Sequence, residues 1–144
     1  MLKMDAPVFG VERMAAYGIA VELVRKVGSC SRQWNGWANL GDQARRAAVS
    51  ALLNLAEGFE QPPGSDAKKR HYEIAVGSAG EVSAALDAAL ALELSDVALL
   101  KSARKDARTL GMLLRGLVRS VKRHSMASKR SQRASAPATE LRSM

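Results

Sequence analysis

The sequence holds one cysteine, Cys30, in 144 residues. A lone thiol closes no internal disulfide, so a disulfide scaffold is excluded and no oxidising compartment is needed. Aromatic residues supply 4% of the chain, few flat rings for a sheet-based core. No stretch reaches the ~18 uncharged apolar residues of a membrane span. The longest apolar run, Ala47 to Ala56, is interrupted by Ser50 and Asn54. Met1-Leu2-Lys3-Met4-Asp5-Ala6-Pro7 contains no apolar stretch of signal-peptide length. Glu-x-x-His, His-x-x-x-His and Cys-x-x-Cys are all missing, which argues against a di-iron bundle and the common zinc motifs. The expectation is a cytoplasmic chain with no metal, no cofactor and no membrane contact.

Hydrophobic residues make up 47% and charged residues 25%, ordinary usage for one globular domain. Alanine, leucine and valine dominate the apolar set, which favours closely packed helices. The net charge is +8, and it is unevenly placed. Residues 1–100 carry ten Lys/Arg and twelve Asp/Glu. Residues 101–144 carry twelve Lys/Arg against Asp106 and Glu140. Such asymmetry points toward an anionic partner.

Four helices are predicted. The first spans Val11 to Val27, with Ala16, Ile19, Ala20, Leu23 and Val27 at helical spacing, and ends at Gly28-Ser29. A loop over residues 28–39 carries Trp34 and Trp37, expected to fold back over the bundle. The second helix opens at Asn39, with Asp42 in capping-box position, and stops at Gly58. Its residues Ala44, Ala47, Ala48, Val49, Ala51, Leu52, Leu53, Leu55 and Ala56 cover most of its circumference, which predicts burial against another subunit. Gln61-Pro62-Pro63-Gly64 breaks the chain. A third helix, capped by Ser65 or Asp66, carries the seam Tyr72, Ala75, Ala79, Val82, Leu86 and Ala89. A fourth, capped at Ser95-Asp96, carries Leu100, Ala103, Ala107, Leu110, Leu114, Leu117 and Val121 and ends near His124. The short link between them predicts an antiparallel hairpin. From Ser125 onward the chain is rich in Ser and Arg without apolar period, which predicts a disordered basic tail.

Two constellations stand out. Lys101, Arg104, Lys105, Arg108, Arg115, Arg119, Lys122 and Arg123 recur three or four apart on the fourth helix. Such a stripe suits nucleic-acid phosphates. No Phe, Tyr or Trp interleaves, which argues against a base-stacking platform. Lys129, Arg130 and Arg133 would extend its reach. The other constellation is polar: Arg46, Ser50, Asn54 and Glu57 on the second helix, Ser78 and Glu81 on the third. Arg46 with Glu57 or Glu81, and Asn54 with Ser78, would satisfy one another and fix helix register. A serine nucleophile would need a nearby histidine, and His71 lies well over a turn from Ser78. No catalytic constellation emerges.

Gln43-Ala44-Arg45-Arg46-Ala47-Ala48-Val49-Ser50, Asn54-Leu55-Ala56-Glu57-Gly58-Phe59 and Ile74-Ala75-Val76-Gly77-Ser78-Ala79-Gly80-Glu81 together resemble a known signature. It is that of a bacterial four-helix-bundle protein family, many of whose members are encoded by intervening sequences inside large-subunit rRNA genes. That pattern is Gln-x-x-Arg-Ala-x-x-Ser, Asn-Ile-Ala-Glu-Gly and Ala-x-Gly-Ser-x-x-Glu. Here Leu55 replaces the usual Ile, and Glu60-Gln61 stand where a basic residue often follows the aromatic. The resemblance implies an antiparallel bundle and closed homopentamers. A more distant likeness is to the basic, pentameric accessory variability protein of diversity-generating retroelements, which implies a reverse transcriptase as a possible protein partner. The resulting expectation is an all-α, up-down four-helix bundle over residues 1–124 with a disordered tail over 125–144. Its function is non-enzymatic binding of nucleic acid, RNA first, by a homo-oligomer; the alternative is a protein-interaction scaffold.

Overall fold

A 3₁₀ turn at Gly10–Arg13 leads into four α-helices: α1 (Ala15–Ser31), α2 (Ala38–Glu60), α3 (Asp66–Ala91) and α4 (Val97–Ala134). These come from a computed structural model that describes residues 9–135. The stretch 1–7 read for a leader, and residues 136–144 of the expected tail, lie outside the described residues. Each helix packs on its two sequence neighbours, and α1 closes the ring on α4. The architecture is the expected all-α, up-down four-helix bundle.

Side-chain caps start two helices where the sequence placed them. Ser65 Oγ accepts from the Lys68 amide at 3.1 Å, and Asp96 Oδ1 from the Leu99 amide at 2.9 Å. Each satisfies one of the orphan N–H groups of a first turn, which is worth about 1 kcal/mol. Every expected seam residue of α3 is buried, and every one of α4 except half-buried Leu117. Leu23, Leu55, Leu86, Leu100, Leu110 and Leu114 are fully enclosed among small neighbours such as Ala44, Ala51, Ala75 and Ala107. Those alanines let the helix axes approach closely enough for the leucines to interlock.

Several boundaries differ from the sequence reading. α1 runs through Gly28 and Ser29 to Ser31, so Cys30 is a core residue of its last turn and not part of a loop. α2 begins at Ala38 behind Trp37, without a side-chain cap. Asn39 is therefore already helical, and Asp42 pairs with Arg46 at 3.1 Å instead of closing a capping box. α2 also continues through Gly58 to Glu60. A Cβ at Gly58 would lie 2.7 Å from the Tyr72 ring, so this glycine serves close packing of α2 on α3. The prolines that follow stop the helix, since they cannot donate the next backbone hydrogen bonds. α4 passes His124 and continues to Ala134, where a disordered tail was expected. Its extension contains Ala, Lys, Arg, Gln and Met with neither Gly nor Pro. Helix propensity persists there after the packing seam has ended.

Three polar contacts tie the bundle together. Lys26 Nζ of α1 donates to Asp106 Oδ2 at 2.6 Å and Ser102 Oγ at 2.8 Å on α4. The indole of buried Trp34 donates to Ser95 Oγ at 3.1 Å, pinning the α1–α2 link onto the α3–α4 link. Trp37 does not fold inward with it and stays 46% exposed. At the opposite end, Lys68 Nζ donates to the carbonyls of Gly58 (2.7 Å) and Phe59 (3.0 Å). The same ammonium lies over the Phe59 and Tyr72 rings. It thereby caps the α2 C-terminus, where carbonyls lack partners and the helix dipole favours a cation. Burial holds the Lys68 ammonium below its ordinary value.

Candidate nucleic-acid interface

The apolar seam of α4 fixes which way its other faces point. With Leu100, Ala107, Leu110, Leu114 and Val121 turned into the core, the cations between them turn outward. Lys101, Lys105, Arg108, Arg115, Arg119, Lys122, Arg123, Lys129, Arg130 and Arg133 are all exposed. Arg104 is half-buried, its Nε 2.5 Å from Asp87 Oδ1 of α3. At 3.6 residues per turn these eleven side chains occupy about a third of the helix circumference. From Lys101 to Arg133 they extend about 48 Å. The one acid of α4, Asp106, lies off this face by its helical phase and pairs with Lys26 of α1.

Beside the stripe runs a shallow groove between α3 and α4. Ala79, Gly80, Ala107 and Gly111 form its floor, and Arg108 and Arg115 flank it. Toward the α3–α4 link it continues past Arg108 and Met112 to Lys101 and Arg104. A Cβ added at Gly80 or Gly111 would meet nothing within 4 Å. Small residues thus leave space in which a backbone phosphate could approach the guanidinium groups.

The polar constellation forms a different network from the one expected. Ser50 Oγ and Ser78 Oγ lie 2.8 Å apart across α2 and α3. Asn54 Nδ2 donates to Ser50 O at 2.9 Å, and its Oδ1 faces His71 Nδ1 at 3.0 Å. The same His71 nitrogen is 3.2 Å from Glu57 Oε2. Both neighbours of Nδ1 accept, so Nδ1 carries the hydrogen. Arg46 stays out of the network, with its side chain 80% exposed and paired to Asp42. Glu81, although one turn after Ser78 on α3, is exposed and joins no bond of this network. The expected pairs of Arg46 with Glu57 or Glu81 and of Asn54 with Ser78 are therefore not made; Arg46 finds its acid one turn back on its own helix.

His71 was the residue missed. It lies seven positions before Ser78, two turns away on the same stripe of α3, and Asn54 spans the gap from α2. Neither serine has a base beside it, so the cluster has no activated nucleophile. Its hydrogen bonds fix the register of α2 against α3. Among the described residues no buried side-chain N or O atom lacks a partner, and no group of His, Cys, Asp and Glu could hold a metal ion.

Outside this network, α2 presents a narrow apolar strip. Val49 is 41% and Leu53 56% exposed, between Arg46 and Glu57; Ile74, one turn before Ser78 on α3, is 41% exposed. Apart from exposed Ala38 in the first turn, the remaining apolar residues of α2 are buried or half-buried within the single chain. One bundle thus hides more of α2 than its composition suggests.

Fold and surface together define an all-α, up-down bundle with a polar-seamed α2–α3 pair and a cationic outer helix. The model of the 23S rRNA-intervening sequence protein family matches residues 12–116, and the chain belongs to that family. Among solved structures it is similar to a protein of unknown function from the S23 ribosomal protein family of Bacteroides thetaiotaomicron. That likeness has 16% identity and a TM-score of 0.63, and covers 72% of this chain and 98% of that one. At that identity it shows the shared fold alone. A comparison with curated proteins finds no match.

Proposed function

We propose that this chain is a non-enzymatic nucleic-acid-binding protein that takes RNA by its phosphates along the outer face of α4. The observation that carries the reading is the single-sign row of exposed cations from Lys101 to Arg133. Phosphate contacts release condensed counterions, so affinity should fall steeply with salt and depend little on sequence. Replacing Arg108, Arg115 and Arg119 together by Gln removes three exposed cations and no buried contact. RNA retention should weaken, and the log–log salt slope should flatten by about 2–3. An unchanged slope at unchanged helicity would remove these residues from the interface.

Val49, Leu53 and Ile74 support a homo-oligomeric assembly, because an exposed apolar strip edged by Arg46 and Glu57 offers a second copy both apolar cover and opposite charges. Leu53→Lys should then lower the mass measured by light scattering at micromolar concentration. The same strip supports the second reading, a scaffold whose partner is another protein such as a reverse transcriptase. Salt-insensitive retention of such a protein, with no RNA shift at moderate ionic strength, would favour that reading over the first.

A further inference from the structure

The two stripes of α4 stop at different places. The buried seam ends at Val121, and from Met126 to Ser135 every residue is exposed. The positions that would continue the seam are taken by Ser125, Ser128 and Gln132. The bundle itself ends here: Gly64, just before α3, lies against His124 and Ser125. Beyond that level no other helix among the described residues covers α4. The cationic row nevertheless continues. Lys129, Arg130 and Arg133 fall within the same third of the circumference as Arg108, Arg115 and Arg119. Folding of the bundle does not demand this phase, since among the described residues all three side chains stay exposed. They also lie past residue 116, where the family match ends.

We propose that the overhang of α4, Met126–Ala134, is an arm whose helix is completed by the phosphate backbone of a double-stranded RNA laid along the cationic row. This deepens the proposed RNA reading and rests on it. An overhang without tertiary contacts depends on propensity and on being seeded by the preceding helix. Like charges at Lys129 and Arg133, and at Arg130 and Arg133, oppose that helix, although Arg133 in the last turn is favoured by the helix dipole. Phosphates set against the row would cancel the repulsion, so binding and helix formation assist one another. A duplex fits better than a single strand. The row lies on one continuous helix and is about 48 Å long, duplex RNA is recognised largely through its shape, phosphates and 2′-hydroxyls, and the row carries no Phe, Tyr or Trp for unpaired bases to stack on.

Hydrogen exchange of the full chain, read residue by residue with and without a duplex RNA of about 20 base pairs, tests the proposal. Amides of residues 126–134 should be nearly unprotected alone and slow by about tenfold or more with the duplex, while the core changes little. The variant Ser131→Pro keeps every charge, breaks the arm and spares the bundle; it should weaken duplex binding several-fold at unchanged bundle melting. Lys129→Gln with Arg133→Gln should weaken binding while leaving the free arm at least as helical. Duplex binding with no added protection in the arm, or S131P binding as tightly as the parent, overturns the inference and leaves the α4 reading standing. Equal protection by a single strand of the same length overturns the duplex as partner. No RNA binding at all at low salt overturns both.

Discussion

α2 and α4 stand diagonally across the same bundle and solve the problem of a helix surface in opposite ways. α2 carries apolar residues on most of its circumference, yet its two neighbours bury or half-bury most of them and leave Val49 and Leu53 as its exposed large side chains. α4 divides into a buried seam and an exposed cationic row, with Met112 and Met126 standing exposed among the cations. The difference lies in which residue types do the dividing. Alanine is small enough to be covered by whatever lies near, so an Ala-rich helix tells little about how many partners it needs. Arginine and lysine must keep their charged heads in water or against an anion, so their spacing marks the outer face directly.

The contrast within α2 can be broken by two neighbouring leucines. Leu55 is fully buried, whereas Leu53 is 56% exposed. Leu55→Ala should cost about 2–5 kcal/mol in urea denaturation, through lost transfer energy plus a cavity. Leu53→Ala should lie within about 0.5 kcal/mol of the parent unless copies associate through it. Equal losses at both positions would mean that α2 is sealed on its outer side as well.

The same contrast explains what was legible in the sequence. Seams of period three and four gave the fold, because Tyr72 through Ala89 and Leu100 through Val121 repeat without interruption. Helix ends were less legible. Gly58 looks like a stop signal, but it is the space into which the Tyr72 ring fits, a tertiary requirement with no local signature. The α4 extension was misread because absence of an apolar period marks absence of packing, not absence of helix. Of the six residues expected in the polar cluster, Ser50, Asn54, Glu57 and Ser78 lie in one network through His71, and Arg46 and Glu81 do not. The hydrogen-bond order was not legible, since the bridge from Asn54 to His71 depends on inter-helix register. For the cationic row the spacing gives a shared face, and the structure adds that Arg104 pairs with Asp87 and that the same helix carries Lys129, Arg130 and Arg133.

The Lys26–Asp106 pair, off that row, gives the next test. Lys26 and Asp106 have side chains 15% and 22% exposed, so removing one partner strands a partly buried charge. Asp106→Ala should cost about 1–3 kcal/mol, less than a fully buried pair would, because some solvent still reaches Lys26. Arg108→Gln, two positions along the helix at an exposed site, should stay within about 0.5 kcal/mol. Comparable losses at the two sites would show that the cationic row contributes to folding, which would weaken its assignment as a free binding face.

The smallest effect concerns the buried side alone. Burial raises the Cys30 thiol above its ordinary value, because the low-polarity core penalises the thiolate. Below about pH 8 the thiol is neutral in both folded and unfolded chains and has no influence on pH dependence. Above about 8.5 the unfolded thiol loses its proton while the folded one keeps it. The native state then binds more protons, and stability falls as pH rises, by at most about 1.4 kcal/mol per pH unit. Lys68, lowered by burial, acts with the opposite sign as pH approaches the ordinary lysine range, and Tyr72, raised by burial, acts with the same sign at higher pH. Both are present in parent and variant, so they cancel in the comparison. Cys30→Ala should be less stable than the parent by a constant amount below pH 8, and the gap should narrow between about pH 8.5 and 9.5. A gap that stays constant across this range would place the thiol in contact with water, and the end of α1 outside the sealed core.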